Sequence, residues 1–121
     1  MSVELPTRSR LSSTTRVRNA RDALLSTQAT AVLQPVRDVI CEQTRSQIVR
    51  ALSAGPLSVG DLATILERSK SATSQHLRVL RDGGIVTARR RGRAVIYSLS
   101  PSPMVDATVE VLRQAAIIAA A

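Results

Sequence analysis

Ser69-Lys70-Ser71-Ala72-Thr73-Ser74-Gln75-His76-Leu77-Arg78-Val79-Leu80-Arg81-Asp82-Gly83-Gly84-Ile85-Val86, followed by Thr87-Ala88-Arg89-Arg90-Arg91-Gly92-Arg93-Ala94-Val95-Ile96-Tyr97-Ser98-Leu99, decides the fold. The first half reads as a helix. Ser69 is a candidate N-cap, Thr73, Leu77 and Leu80 fall on one face, and Gly83-Gly84 stops it. The opposite face carries Ser71, Ser74, Gln75 and Arg78. The second half changes period: residues 85–89 and 94–99 are β-prone runs, and Arg90-Arg91-Gly92-Arg93 lies between them with a glycine free to take a positive φ. A polar-faced helix followed by a hairpin tipped with arginines is the result.

Upstream, Ser58 with Asp61 forms a capping box, and Leu62, Ile65 and Leu66 share a face behind it. Thr44 with Gln47 fits a further capping box, opening a helix with Ile48, Ala51 and Leu52 inward and Gly55-Pro56 at its end. Val36, Val39 and Ile40 give another apolar face. Pro35 predicts a break, because it lacks an N–H and pushes Gln34 out of the α region. Ala23, Leu24, Leu25, Ala31 and Val32 recur at helical spacing from Asn19 onward. Downstream, Ser100 and Pro101 predict the start of a last helix carrying Met104, Val105, Val109, Leu112 and Ile117. The expected architecture is mainly α with a small β-hairpin, in the order α-α-α-α-α-β-β-α. Residues 1–18 are expected to be a disordered basic arm, and residues 19–121 a DNA-binding and dimerisation domain.

Two capped helices joined by a tight turn and followed by such a hairpin form a winged helix-turn-helix pattern. A helix fits the major groove of B-DNA, where glutamine pairs with adenine and small polar groups approach base edges. The four arginines Arg89, Arg90, Arg91 and Arg93 suit phosphates or a narrow minor groove. Singly, a polar helix face or a charged turn is ordinary solvated surface; their order and spacing carry the inference.

Composition agrees. The 121 residues hold 17 Lys plus Arg against 9 Asp plus Glu, a formal +8, and sixteen of the 17 are Arg. A planar guanidinium matches phosphate and the guanine edge, although charge alone could serve only solubility. There is no Phe or Trp, and Tyr97 is the only aromatic residue. Leu, Ile, Val and Ala must therefore fill the core, and a second subunit would add apolar area. No apolar run reaches a membrane-spanning length and no secretory leader is evident, so a cytoplasmic location is expected. No phosphate loop, nucleophile elbow or His–carboxylate motif suggests an enzyme, and no cofactor motif is present.

The residues also carry a family resemblance. Gln43-Thr44-Arg45 with Ile48-Val49-Arg50-Ala51-Leu52 resembles the "PTR…IL…L" opening of ArsR/SmtB regulators. Pro56-Leu57-Ser58-Val59-Gly60-Asp61-Leu62-Ala63 resembles their next helix, and residues 69–86 their "S-x-S-x-V-S-x-H-L-x-x-L-x-x-A-G-L-V" recognition helix. Arg89-Arg90-Arg91-Gly92-Arg93 and Tyr97-Ser98-Leu99 are similar to their wing. Thr73 departs from the usual Val, so its hydroxyl must bond back to the helix or tolerate burial. The resemblance implies a homodimer built on the outer helices, a twofold operator in double-stranded DNA, and release by a small-molecule or redox inducer. The expected DNA-binding residues are Ser69, Lys70, Ser71, Ser74, Gln75, His76, Arg78, Arg89, Arg90, Arg91 and Arg93, with His76 either structural or DNA-facing.

The sensing chemistry of many relatives is absent. Their thiolate position corresponds to Ser58 and Gly60 here, and the last helix offers Asp106 and Glu110 without histidine. One Cys and one His per chain do not make a zinc or soft-metal set, so no metal site is expected. Cys41 is a possible redox residue, with Arg37 and Arg45 near it in sequence, or a buried inert thiol. A winged-helix adaptor that binds protein rather than DNA is the remaining alternative.

Overall fold

The computed structural model describes residues 12–121. The chain divides at Val32/Leu33 into two compact units, not at the expected boundary between residues 18 and 19. In the first unit, α1 spans Ser13–Asp22 and α2 spans Thr27–Val32. Ser12 caps α1 by accepting from the Thr15 N–H at 3.1 Å, and Ser26 accepts from the Ala29 N–H at 3.0 Å ahead of α2. The span expected to be disordered is therefore helical from Ser13, because its serine-rich start supplies an N-cap. Residues 1–11 of that expected arm lie outside the described residues. Ser26 likewise divides the apolar run of residues 23–32. Neither helix buries a residue within its unit.

The second unit begins with α3, Gln34–Ile40. Pro35 sits in its first turn, where the missing N–H has no helical partner to lose. The break expected at this proline is thus also a helix start. α4 spans Gln43–Leu52, and its cap corrects the sequence reading: Glu42, not Thr44, accepts from the Arg45 N–H, at 2.7 Å. An ionised carboxylate makes the stronger bond to the free N–H groups, and Thr44 turns inward and is buried. A two-residue strand, β1 (Leu57–Ser58), leads into α5 (Val59–Leu66). The capping box of Ser58 and Asp61 forms in both directions, each bond 3.1 Å long.

Helix α6 spans Lys70–Asp82, and Ser69 caps it through the Ala72 N–H at 3.0 Å. β2 (Val86–Arg91) and β3 (Ala94–Leu99) then pair antiparallel, and β1 adds to the other edge of β3, giving the order β1-β3-β2. Helix α7, Pro103–Ala120, starts later than Ser100 because Ser102 caps it through the Met104 N–H at 3.2 Å.

Helices α3–α7, β2 and the residue before it place aliphatic side chains in one core: Val39, Ile48, Val49, Leu52, Leu62, Leu77, Leu80, Ile85, Val86 and Val105, against which Leu57 of β1 and Tyr97 and Leu99 of β3 pack. Each such side chain contributes roughly 1.5–3 kcal/mol on burial. Tyr97, the only aromatic residue, is half-buried at the edge of this core. The observed order differs from the expected one in two places: the first expected helix is divided in two, and β1 is added.

Candidate nucleic-acid interface

The turn between α5 and α6 is short because Glu67 adopts a left-handed conformation (φ 54°) and ends α5 at once. Such a conformation is uncommon for a residue with a Cβ, and no sequence signal pointed to it. Two residues later Ser69 opens α6. The pair forms the helix-turn-helix.

Burial divides α6 as its periodicity requires. Thr73, Leu77 and Leu80 face the core, whereas Ser71, Ser74, Gln75 and Arg78 are exposed. The Thr73 hydroxyl, fully buried, donates to the Ser69 carbonyl at 2.8 Å. Ser69 is exposed, but its hydroxyl oxygen is engaged in capping. Lys70 lies back across α5, and a Cβ added at Gly60 would stand 3.6 Å from its Cε.

The hairpin carries Arg89, Arg90, Arg91 and Arg93, all exposed. The strand continues to Arg91, so Arg90 and Arg91 pair with Val95 and Ala94 rather than lying in the turn. Gly92, at φ +63°, begins the reversal. Strand alternation puts Arg89 and Arg91 on one face, around a small recess of about 90 Å³ shared with Pro56, Ile96 and Ser98. Arg90 projects to the other face. Among the described residues none of these guanidiniums has a carboxylate partner. Four like charges held this close favour an external anion.

His76 is placed apart from the exposed row. It is half-buried beside Leu77, with Nδ1 3.4 Å from a terminal nitrogen of Arg45 and 3.7 Å from Glu42 Oε2. Glu42 and Arg45 are the residues the sequence reading missed here. They stand more than thirty positions from His76, and no local pattern joins them.

Cys41 is exposed at the C-terminal cap of α3, where the commoner expectation was a buried thiol. Glu110 on α7 is engaged by Arg113 at 2.7 and 2.9 Å and by Gln114 at 3.1 Å. The Arg113 hydrogen bonds foremost pull its carboxyl down to about 2. Among the described residues no three His, Cys, Asp or Glu side chains gather as metal ligands, and no helix is long and apolar enough to cross a membrane.

Comparison with known proteins fits this geometry. The family described as "Bacterial regulatory protein, arsR family" matches residues 42–88, from the α4 cap into β2. The HTH-type transcriptional regulator NmtR of Mycobacterium tuberculosis is 40% identical over 82 residues, 68% of this chain and 68% of its own. The transcriptional activator HlyU of Vibrio cholerae is 43% identical over 75 residues, 62% of this chain and 68% of its own. A solved structure of HlyU matches with a TM-score of 0.68 at 37% identity, covering 74% of this chain and 96% of that one. The homodimeric winged helix-turn-helix DNA-binding domain of Mb0332 from Mycobacterium bovis matches at a TM-score of 0.60 and 26% identity, over 80% of this chain and 89% of that one. The chain belongs to the arsR family of bacterial regulatory proteins: it is a DNA-binding transcription regulator with a winged helix-turn-helix fold, and not an enzyme.

Proposed function

We propose that the protein works in the cytoplasm as a homodimeric repressor, occupying a twofold operator until a signal releases it. The observation that carries this reading is the uncompensated arginine wing next to the exposed polar face of α6. Ser71, Ser74, Gln75 and Arg78 read base edges in the major groove, with Ser69 and Lys70 at the phosphate-facing start of the helix. Arg89, Arg90, Arg91 and Arg93 hold phosphates or enter the minor groove. Dimerisation is supported by exposed aliphatic side chains in each unit: Leu24 (73% exposed) and Leu25 in the first, Ile117 and Ile118 (71% exposed) in the second. The homodimeric Mb0332 domain supports it as well. Repression follows if the occupied site overlaps a promoter. Ser58 and Gly60 in place of thiolates, and a single Cys, argue for a signal other than a thiolate- or histidine-bound metal.

The test is selection of bound fragments from random double-stranded DNA at physiological salt. Recovery of an inverted repeat with half-sites about one helical turn apart supports the reading. A lone half-site, or no enrichment, overturns it. A reporter carrying the recovered site separates repression from activation.

The exposure of Cys41 favours one second reading, a redox-responsive regulator. Oxidant should then release the wild type from the recovered site and leave Cys41→Ser bound. Equal responses of the two proteins assign Cys41 no sensing role.

A further inference from the structure

The recognition helix is tied to its own unit by a polar cluster that base reading does not use. His76 Nδ1 lies 3.4 Å from Arg45 Nη1 and 3.7 Å from Glu42 Oε2. Both partners are fixed from behind. Glu42 Oε2 accepts the Arg45 backbone N–H at 2.7 Å, and Arg45 Nε donates to the Asp38 carbonyl at 2.5 Å. The cluster thus spans the end of α3, the start of α4 and the middle of α6. From α4 and its cap the charged groups facing the ring are Glu42 and Arg45. From α3, Asp38 gives its carbonyl to Arg45 and its carboxylate to Gln34 at 3.1 Å. On α6 itself, among the described residues, no charged group bonds to the ring.

The two partners demand opposite things of the same nitrogen. A guanidinium only donates and an ionised carboxylate only accepts. Nδ1 can accept from Arg45 only when it is bare, which the neutral ring permits by keeping its proton on Nε2. The imidazolium has hydrogens on both nitrogens, so its Nδ1 can only donate, towards Glu42, and Arg45 repels it. Glu42 stays ionised near neutrality: burial pushes its carboxyl up, but N–H donors of Arg45 and Thr44 and the charges of His76 and Arg45 hold it below the ordinary value.

We infer that Glu42 and Arg45 are positioning residues that seat the recognition helix through His76, and that the proton on His76 selects between them. This rests on α6 being the DNA-reading helix. His76 lies between the exposed Gln75 and the buried Leu77, so a change of partner turns the reading face relative to the core. The negative potential of DNA favours the imidazolium. DNA binding therefore takes up a proton, and affinity falls as pH rises through the range in which histidines change charge.

The experiment measures fluorescence anisotropy from pH 6 to 8 at fixed ionic strength. The probe is a duplex selected by the wild type from random fragments. Wild-type affinity should fall about threefold or more across this range. His76→Gln should be flat. Glu42→Gln keeps a neutral capping oxygen and the ring, yet should lose most of the step. Arg45→Gln should keep the step and bind less tightly at pH 8. A flat wild type, or a full step in Glu42→Gln, overturns the inference, since attraction of the ring to phosphate would survive that substitution. If Glu42→Gln melts below the assay temperature, Glu42→Ser, which restores a neutral capping oxygen, decides: a lost step supports the inference and a retained one overturns it. The recognition-helix reading fails separately, if Gln75→Ala binds the selected duplex as the wild type does.

Discussion

Thr73 poses the sharpest question at the scale of one residue. Its side chain is fully buried on the inward face of α6, and among the described residues only Thr44 and Thr108 are other buried polar groups. The hydroxyl bonds to the Ser69 carbonyl, which also accepts the Thr73 backbone N–H at 3.0 Å. Removing the hydroxyl therefore leaves that carbonyl with a partner. Thr73→Val keeps the shape and deletes a desolvated polar group. It should leave stability unchanged or raise it by up to about 1 kcal/mol. Urea unfolding checks this; a loss of similar size would mean that the side-chain bond itself holds the start of α6. Legibility at this scale was uneven. Ser58 and Ser69 were readable as caps because capping is local, involving residues three apart. Glu42 was not, since the Thr44–Gln47 pair offered an equally good local pattern and only inward packing of Thr44 decides against it. The cluster at His76 joins residues more than thirty apart and left no trace in the sequence.

Among the elements, β1 shows the same limit. Two residues carry no strand signal, and Leu57 and Ser58 become a strand only by pairing with Tyr97 and Ile96. The long runs of α6, β2 and β3 were legible because burial repeats along them. Of the apolar residues that mark α7 in the sequence, Val105, Val109 and Leu112 reach the core, whereas Ile117 is exposed. Leu112 is half-buried and packs against the core, so Glu at this position would damage the fold together with any interface. Val111 and Ile118, seven residues apart and 50% and 71% exposed, share a solvent stripe and are the cleaner probes. Ile118→Glu and Val111→Glu should shift sedimentation towards monomer at micromolar concentration, while the urea midpoint of the isolated subunit stays unchanged. A dimer indifferent to both would place the interface elsewhere. The same helix carries a pH-dependent contact. The Glu110 carboxyl is lowered from 4.5 to about 2, first by its hydrogen bonds with Arg113. A lowered folded-state value means that the contact supports the helix above pH 4.5 and is lost as pH falls towards 2. Helicity of α7 should decline across that window less in Glu110→Gln than in the wild type, as circular dichroism would register. The effect should be small, because both groups are in solvent.

For the whole molecule, the +8 charge and the division of labour between α6 and the wing meet in one measurement. Charge draws the protein to any duplex and makes binding salt-dependent, while base edges distinguish one duplex from another. Arg91 and Arg93 lack carboxylate partners among the described residues and lie on or beside the hairpin turn, and the proposed reading gives them the first task. Arg91→Ala should weaken binding to selected and scrambled duplexes alike and reduce the slope of log affinity against log salt by about one unit per subunit. Gln75 and Ser71 are exposed and uncharged, and the proposed reading gives them the second task. Gln75→Ala should cost ~1–3 kcal/mol on the selected duplex, little on the scrambled one, and leave the salt slope alone. Salt titrations of each variant on both duplexes give all of these quantities. If Gln75→Ala weakens both duplexes equally and Arg91→Ala affects only the selected one, anchor and reader are exchanged: the wing then reads the minor groove, and α6 serves to hold the protein on the backbone.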